Sequence, residues 1–346
     1  MVKRLGYFIL TIAIILAVPY TAAVAADADF FKGKTIRIIV AYSPGGGFDA
    51  YSRMLARHMP KHIPGNPVMI VQNMPGAGGL IASNYLYNKA KPDGLTIGNW
   101  IGGLILQQYL GNKGVRFDAA KFEWIGAPVR IHNVCILTKQ SGITDVKKWQ
   151  AAKTPVKLGG GRPGSTTWDI PRIVINHTKL PTKLIEGYGG TAPIRLAAER
   201  GELAGVCASW EGLRNPWAAA LKKGDVKVLV QFVDKAHPDL KDVPLAKDLM
   251  KSAEGRQVLK TVVHDIGGSL NRPYSLPPGT PKDRVAILRK AYNATMKDPE
   301  FLAEAKKSKF DINPVSGEEV ERLVSDVAKV PAELMAKIKE TFAPKK

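Results

Sequence analysis

Apolar runs separated by glycine-rich turns set the rhythm of this chain. "TIRIIVAY" (35–42) is apolar at most positions and ends in "SPGGGFD" (43–49). Tyr51, Met54, Leu55 and Met59 then recur at spacings of three and four, which predicts an amphipathic helix capped by Gly47 or Asp49. The unit repeats: "PVMIVQN" leads to "MPGAGG", followed by a helical stripe of Ile81, Ala82, Tyr85 and Leu86. A "KPDG" turn and a third strand, "LTIGNW", follow. Further on, "VKLGG" leads to "GRPGSTTWD" and a helix running to about His177, and "TKLIEGY" leads to "GGTAP" and "IRLAAERGE". "LAGVCASW", "PWAAALKKG" and "VKVLVQF" read as strand, helix and strand. Strands alternating with helices predict an α/β protein with doubly wound, mainly parallel sheets, whose strands are buried on both faces.

The two series are separated by "RFDAAKFEWIGAPVRIHNVCILTKQSG". A chain of 346 residues has room for about two domains. The expected organisation is two lobes, with the chain crossing near 130 and again near 265–272. Lobe 1 spans 27–132 and 270–346, and lobe 2 spans 133–269. The tail has its own helix starts at "LPPGTPKD", "KDPEF" and "PVSGEEVERLV" and is expected to pack back on the first lobe.

The N-terminus changes the setting. Lys3 and Arg4 precede an uncharged apolar run from Tyr7 to Val18, a break at Pro19 and the small residues "TAAVAAD". This is the pattern of a secretory signal, with cleavage near Ala25 or Ala26. The expected location is therefore the periplasm. Removing residues 1–26 removes two cations and no anion, so the net charge of +20 falls to about +18. Export and the scattered cations argue against nucleic acid. The charge is that of a solvated basic surface or of a field that attracts small anions. Cys135 and Cys207 are the only cysteines; in an oxidising compartment they either pair or remain as two buried thiols.

Four glycine turns, at 44–47, 75–79, 159–164 and 189–190, fall after strands and before helices. In open α/β sheets ligands sit at that edge, where free N–H groups and the helix dipole favour anions. "GGGRPG" (159–164) also matches G-x-G-x-x-G, and Glu186 lies 22 residues beyond Gly164. That leaves a dinucleotide-dependent oxidoreductase, or another secreted α/β enzyme, as the alternative. An exported protein seldom meets NAD, and no nucleophile–base–orienter set is visible, so neither catalytic residues nor a cofactor is expected. His58 and His62 are four apart, but Pro60 ends the helix between them, and no metal site is expected. Ser165, Thr166 and Thr167 offer hydroxyls at a helix start. Trp168, Trp210 and Glu211 lie near strand ends or turns; core packing is the default for the tryptophans, and Glu211 either meets a ligand hydroxyl or is simply solvated.

Two loops together are specific. P-G-G-x-x-D (Pro44 to Asp49) and N-x-P-G-A-G-G (Asn73 to Gly79), with "KPDG" and the later "PPGTPKD" (277–283), resemble the substrate-binding proteins of tripartite tricarboxylate transporters, the TctC or Bug family. The resemblance implies a type II periplasmic binding protein, two-lobed, with a ligand cleft between the lobes. It implies closure on a small carboxylate and delivery to membrane transporter subunits, and a monomer is expected because a lobe that must open and dock leaves little room for a permanent interface. On the first lobe it places Ser43, Pro44, Gly45, Gly46, Phe48 and Asp49, with Pro75, Gly76, Ala77 and Gly78, at the ligand. On the second it places Gly164, Ser165, Thr166 and Thr167, then Tyr188, Gly189 and Gly190. The second lobe departs from the family pattern at "STTWDIPRI" and at Ser209, Trp210 and Glu211. An aromatic or longer acid is then expected, with Trp168 or Trp210 stacking on it and Arg162 pairing bidentately with a second carboxylate.

Overall fold

A computed structural model describes residues 29–343; the signal segment expected at 1–26 lies outside them. Four strands come first: β1 (Thr35–Val40), β2 (Val68–Asn73), β3 (Thr96–Asn99) and β4 (Glu123–Ala127). Five more follow: β5 (Asn133–Thr138), β6 (Val156–Gly159), β7 (Thr182–Ile185), β8 (Gly205–Ser209) and β9 (Val226–Phe232). The last two are β10 (Tyr274–Leu276) and β11 (Val315–Ser316). They form a six-stranded sheet, β11-β4-β10-β3-β1-β2, and a five-stranded sheet, β7-β6-β8-β5-β9.

Both sheets are mixed, which corrects the mainly parallel expectation. β1 pairs in parallel with β2 and β3, as the strand–turn–helix units require. β10 runs antiparallel to β3 and β4, and β11 antiparallel to β4. In the second sheet β6 is parallel to β7 and β8, whereas β5 is antiparallel to β8 and β9. The antiparallel strands are those next to the crossings. β5 and β10 enter their sheets directly from the other lobe, without the helical crossover that a parallel neighbour needs. The continuous apolar runs are the interior strands: β4 and β5 are buried at every position. β2 is an edge strand and alternates instead, with Val68 and Ile70 exposed at 61% and 44%. Ile81, read as part of a buried stripe, is also half exposed; Ala82, Ser83 and Leu86 form the covered face of its helix.

Cys135 and Cys207 face each other across the β5–β8 ladder and are joined by a disulfide. The sequence had left this pairing open, because only the strand register brings the two residues together.

The tail splits. Helices Lys282–Thr295, Pro299–Lys307 and Gly317–Ala328 pack on the first sheet and its helices. The second starts behind Asp298, which accepts from the N–H groups of Glu300 and Phe301. The final helix, Ala332–Phe342, instead packs on helices Thr166–His177 and Ala253–Leu259 beside the second sheet. Arg172 and Asn176 donate to the Thr341 carbonyl, and His177 bonds the Thr341 hydroxyl at 2.7 Å. The chain therefore passes between the sheets three times, near 128–132, 270–273 and 329–331. The first two passages touch where Ile131 N–H donates to Gly268 O at 3.0 Å.

Candidate functional site

The first loop is built around Asp49. This carboxylate is 3% exposed and sits in the first turn of helix Gly47–His58. It accepts from Gly45 N–H (2.9 Å), Arg53 Nε (2.9 Å) and Asn73 Nδ2 (3.0 Å). The same Asn73 amide donates to Tyr42 O at 2.8 Å, so the end of β2 is tied to the end of β1. The Arg53 hydrogen bond, helped by Gly45 and Asn73, holds the Asp49 carboxyl down at about 2 despite its burial. Asp49 is therefore occupied within the protein: it shapes the loop, and its carboxylate is not left for a ligand. The N-cap is Gly46, not Gly47 or Asp49, and it offers no side chain to the helix N-terminus. Ser43, Pro44, Gly45 and Gly46 are exposed, and Phe48 is half-buried against the Tyr42 ring at 4.4 Å.

The second loop packs beside the first. Tyr42 hydroxyl donates to Gly78 O at 3.1 Å. Its backbone runs left-handed from Ala77 (φ 48°) through Gly78 (φ 68°) to Gly79 (φ 103°). Glycine accommodates this freely; Ala77, with its Cβ, does so at a cost of about 1–2 kcal/mol. Gly76 also has a positive φ of 138°, which strains a residue with a side chain, and Ile81 Cδ1 would have to move aside for a Cβ. These residues hold a tight turn with exposed Gly78 and Ala77.

On the second lobe, the turn at 159–164 is closed by its own helix. Gly161 N–H donates to Thr167 Oγ1 (3.2 Å), and Gly164 N–H to Asp169 Oδ1 (3.0 Å). Ser165 Oγ donates to Arg162 O at 2.6 Å and lies 3.2 Å from Thr167 Oγ1. Thr167 is buried, so its hydroxyl serves this turn. The Arg162 side chain is exposed at the loop tip. Tyr188 N–H donates to Gly160 O at 3.2 Å, which sets the turn with Tyr188, Gly189 and Gly190 beside this one. Trp168 does not face a ligand. Its Nε1 donates to Glu186, Arg172 lies over its ring, and Phe342 of the final helix packs against it at 5.5 Å. The final helix, placed with the other lobe from sequence, is what covers it. Asp169 is largely buried, and burial pushes its carboxyl up to about 7.

The lobes meet across glycines. A Cβ on Gly103 would fall on Gly164 O, and one on Gly102 on Leu270 O. Between them lies a cavity of about 10 Å³, lined by Gly103, Asn133, Gly164, Thr166, Asp169 and Asn271. That is room for about one water. Arg214, from the second lobe, forms a two-pronged ion pair with Asp311 of the first at 2.8 and 2.7 Å. The two lobes are thus in direct contact here.

Glu211 is committed to the crossing. It accepts from His132 N–H at 3.0 Å and bonds His132 Nδ1 at 2.9 Å. Trp210 is 7% exposed in the second lobe's core, and its Nε1 finds no partner. A stacking role for this ring would require it to leave that core. Asn133, 1% exposed at the start of β5, satisfies neither amide atom within the protein. Each such orphan costs about 1–3 kcal/mol.

Sequence reasoning missed Arg272. It lies in the second crossing, with its guanidinium 5.1 Å from the Phe48 ring centre and 5.4 Å from that of Tyr51. Its Nε is buried and unpartnered. A single cation in "SLNRPYSL" has no spacing signal; its one mark is a charge inside an otherwise uncharged run.

The two histidines at 58 and 62 lie at the other end of the first helix. His58 bonds Glu304 (2.7 Å) and His62 bonds Asp298 (3.0 Å). Lys61 Nζ already stands 2.8 Å from Asp298 and 2.6 Å from Glu300. Among the described residues no helix is long and apolar enough to cross a membrane.

Comparison with known proteins accords with this geometry. An uncharacterised protein encoded in the gbd 5′ region of Cupriavidus necator is 26% identical over 301 residues, covering 84% of this chain and 82% of that protein. The periplasmic binding protein BugD superposes with a TM-score of 0.68 at 21% identity, covering 90% of this chain and 99% of BugD. MatC of Rhodopseudomonas palustris, solved with bound malate, gives 0.65 at 19%, covering 89% and 98%. These solved neighbours share the two-lobed fold. The model of the tripartite tricarboxylate transporter family receptor, TctC, matches residues 51–339, and the chain belongs to that family.

Proposed function

We propose that this protein is an exported, periplasmic solute-binding protein that captures a small carboxylate by lobe closure and hands it to the membrane subunits of a tripartite tricarboxylate-type transporter. The observation that carries the reading is the uncapped N-terminus of helix Gly47–His58, held open at the lobe junction by Asp49. Its free N–H groups form an anion site in a chain whose family is a transporter receptor. A fold neighbour holds malate, a dicarboxylate. Lobe 1 then comprises 27–132 and the tail from 270 to about 331. Lobe 2 comprises 133–269 and is joined by the last helix. Ser43, Gly45, Gly46, Phe48, Gly76, Ala77 and Gly78 line one side of the cleft. Arg162, Gly164, Ser165, Thr166, Tyr188 and Gly189 approach from the other. The protein works as a monomer, leaving both lobes free to move, and carries out no covalent chemistry.

A thermal-shift screen of the mature protein tests this. The panel holds aliphatic di- and tricarboxylates, aromatic carboxylates, amino acids, sugars and NAD. A ligand at 100 times its dissociation constant stabilises by about 2.7 kcal/mol. Stabilisation by one carboxylate class is expected. Stabilisation by NAD alone would overturn the reading and favour the dinucleotide alternative. The N–H groups of Gly161 and Gly164 weigh against that alternative, since Thr167 and Asp169 already occupy them.

A further inference from the structure

Two side chains at the lobe junction, Asn133 and Arg272, hold polar atoms that no protein group satisfies. Buried polar atoms in native proteins are rarely left so, unless another partner visits. Arg272 is the charged one. A Cβ on Gly47 would lie 3.0 Å from its Nη2, so the guanidinium stands directly beside the uncapped first turn of helix Gly47–His58. The positive end of a helix and a cation are thereby brought together, an unfavourable arrangement without an anion between them. The nearby carboxylates are engaged elsewhere: Asp49 with Arg53, Gly45 and Asn73, and Glu211 with His132. The Phe48 and Tyr51 rings lie within cation–π range of the guanidinium, and its Nε has no protein partner.

We infer that Arg272 takes a carboxylate group of the ligand, held together with the N–H groups of the first turn of helix Gly47–His58. Arg272 is therefore the residue that selects acids over neutral solutes. The inference rests on the carboxylate-capture reading above and assigns its charge partner.

The test is calorimetric titration of wild type, Arg272→Gln and Arg272→Lys with malate, citrate, benzoate and inorganic phosphate, alongside urea unfolding of each variant without ligand. Loss of one partner of a desolvated charge pair weakens binding by about 30-fold or more. Arg272→Gln should lose at least that much affinity for whichever acid wild type binds, and Arg272→Lys should recover part of it. Without ligand, Arg272→Gln should be at least as stable as wild type, since a cation lacking a counter-ion is removed. Wild-type affinity in Arg272→Gln would overturn the assignment and leave carboxylate capture standing. So would an unchanged affinity combined with lower ligand-free stability, which would make Arg272 a structural staple of the two rings. Wild type binding phosphate alone would overturn the carboxylate assignment. Wild type binding none of these acids and no other carboxylate of the thermal-shift panel would overturn both readings.

Discussion

Replacing Asp49 with Asn tests whether one carboxylate shapes the first glycine loop. The amide keeps the volume and can still accept from Gly45 N–H, but it loses the charge that Arg53 faces. The carboxyl is held at about 2 against an ordinary 3.8. At about 1.4 kcal/mol per pKa unit, the full linkage is roughly 2–3 kcal/mol. Arg53 is 45% exposed, and solvent screening reduces its share, so about 1–2 kcal/mol is the working figure. The sign follows from the direction of the shift. A depressed carboxyl stabilises the fold above the unfolded pKa of about 4, and that stability is lost as pH falls towards 2. The assay is urea unfolding of both proteins between pH 7 and pH 2.5. The variant should be less stable by about 1–2 kcal/mol at neutral pH, and the gap should narrow steadily below pH 4. A gap that stays constant across this range would refute the reasoning, because the lost interaction would then not involve the charge.

Three other outcomes are expected. Replacing Cys135 and Cys207 by Ala opens a loop of 72 residues and should destabilise by about 4 kcal/mol, read as a lower urea midpoint; an unchanged midpoint would remove the bond from the energetics. Gly103→Ala places a methyl where Gly164 O lies, so the lobes should stay apart; small-angle scattering should give a larger radius of gyration, and an unchanged radius would refute the contact. Asp169→Asn should gain on wild type as pH rises from about 4 to 7, by a few kcal/mol, then level off. The raised carboxyl is stabilising only while protonated, and equal pH profiles for the two proteins would show that it is not buried as described.

Much of the fold was legible in the sequence because the strands here are largely apolar runs bounded by turn residues. β1, β5 and β9 could be located from their apolar runs, and helix Thr166–His177 ends at about the residue expected. What periodicity does not carry is the identity of a partner. The last helix has a clear apolar stripe, yet nothing in it says that Ile338 and Phe342 face the second lobe. The same limit applied to Trp168, whose cover is that helix, and to the cysteines, whose pairing is a matter of register. In the site, the glycines were legible because tight turns demand them. The tasks of Asp49 and Glu211 were not, because a carboxylate's partner can lie far along the chain: Glu211 bonds a histidine 79 residues away. Arg272 was invisible because its meaning lies in what does not pair with it.

The three passages between the lobes have a mechanical consequence. Two adjacent connections, such as those joined at Ile131 and Gly268, behave like a short strap and leave the lobes free to swivel. The third, leading to a helix anchored by Arg172, Asn176 and His177, works like a further pin set off from the strap. A door hung on separated pins swings about one axis and resists twisting. In the lobe closure proposed above, such pins would confine opening to a single arc, so that a partner would meet only the two ends of that arc.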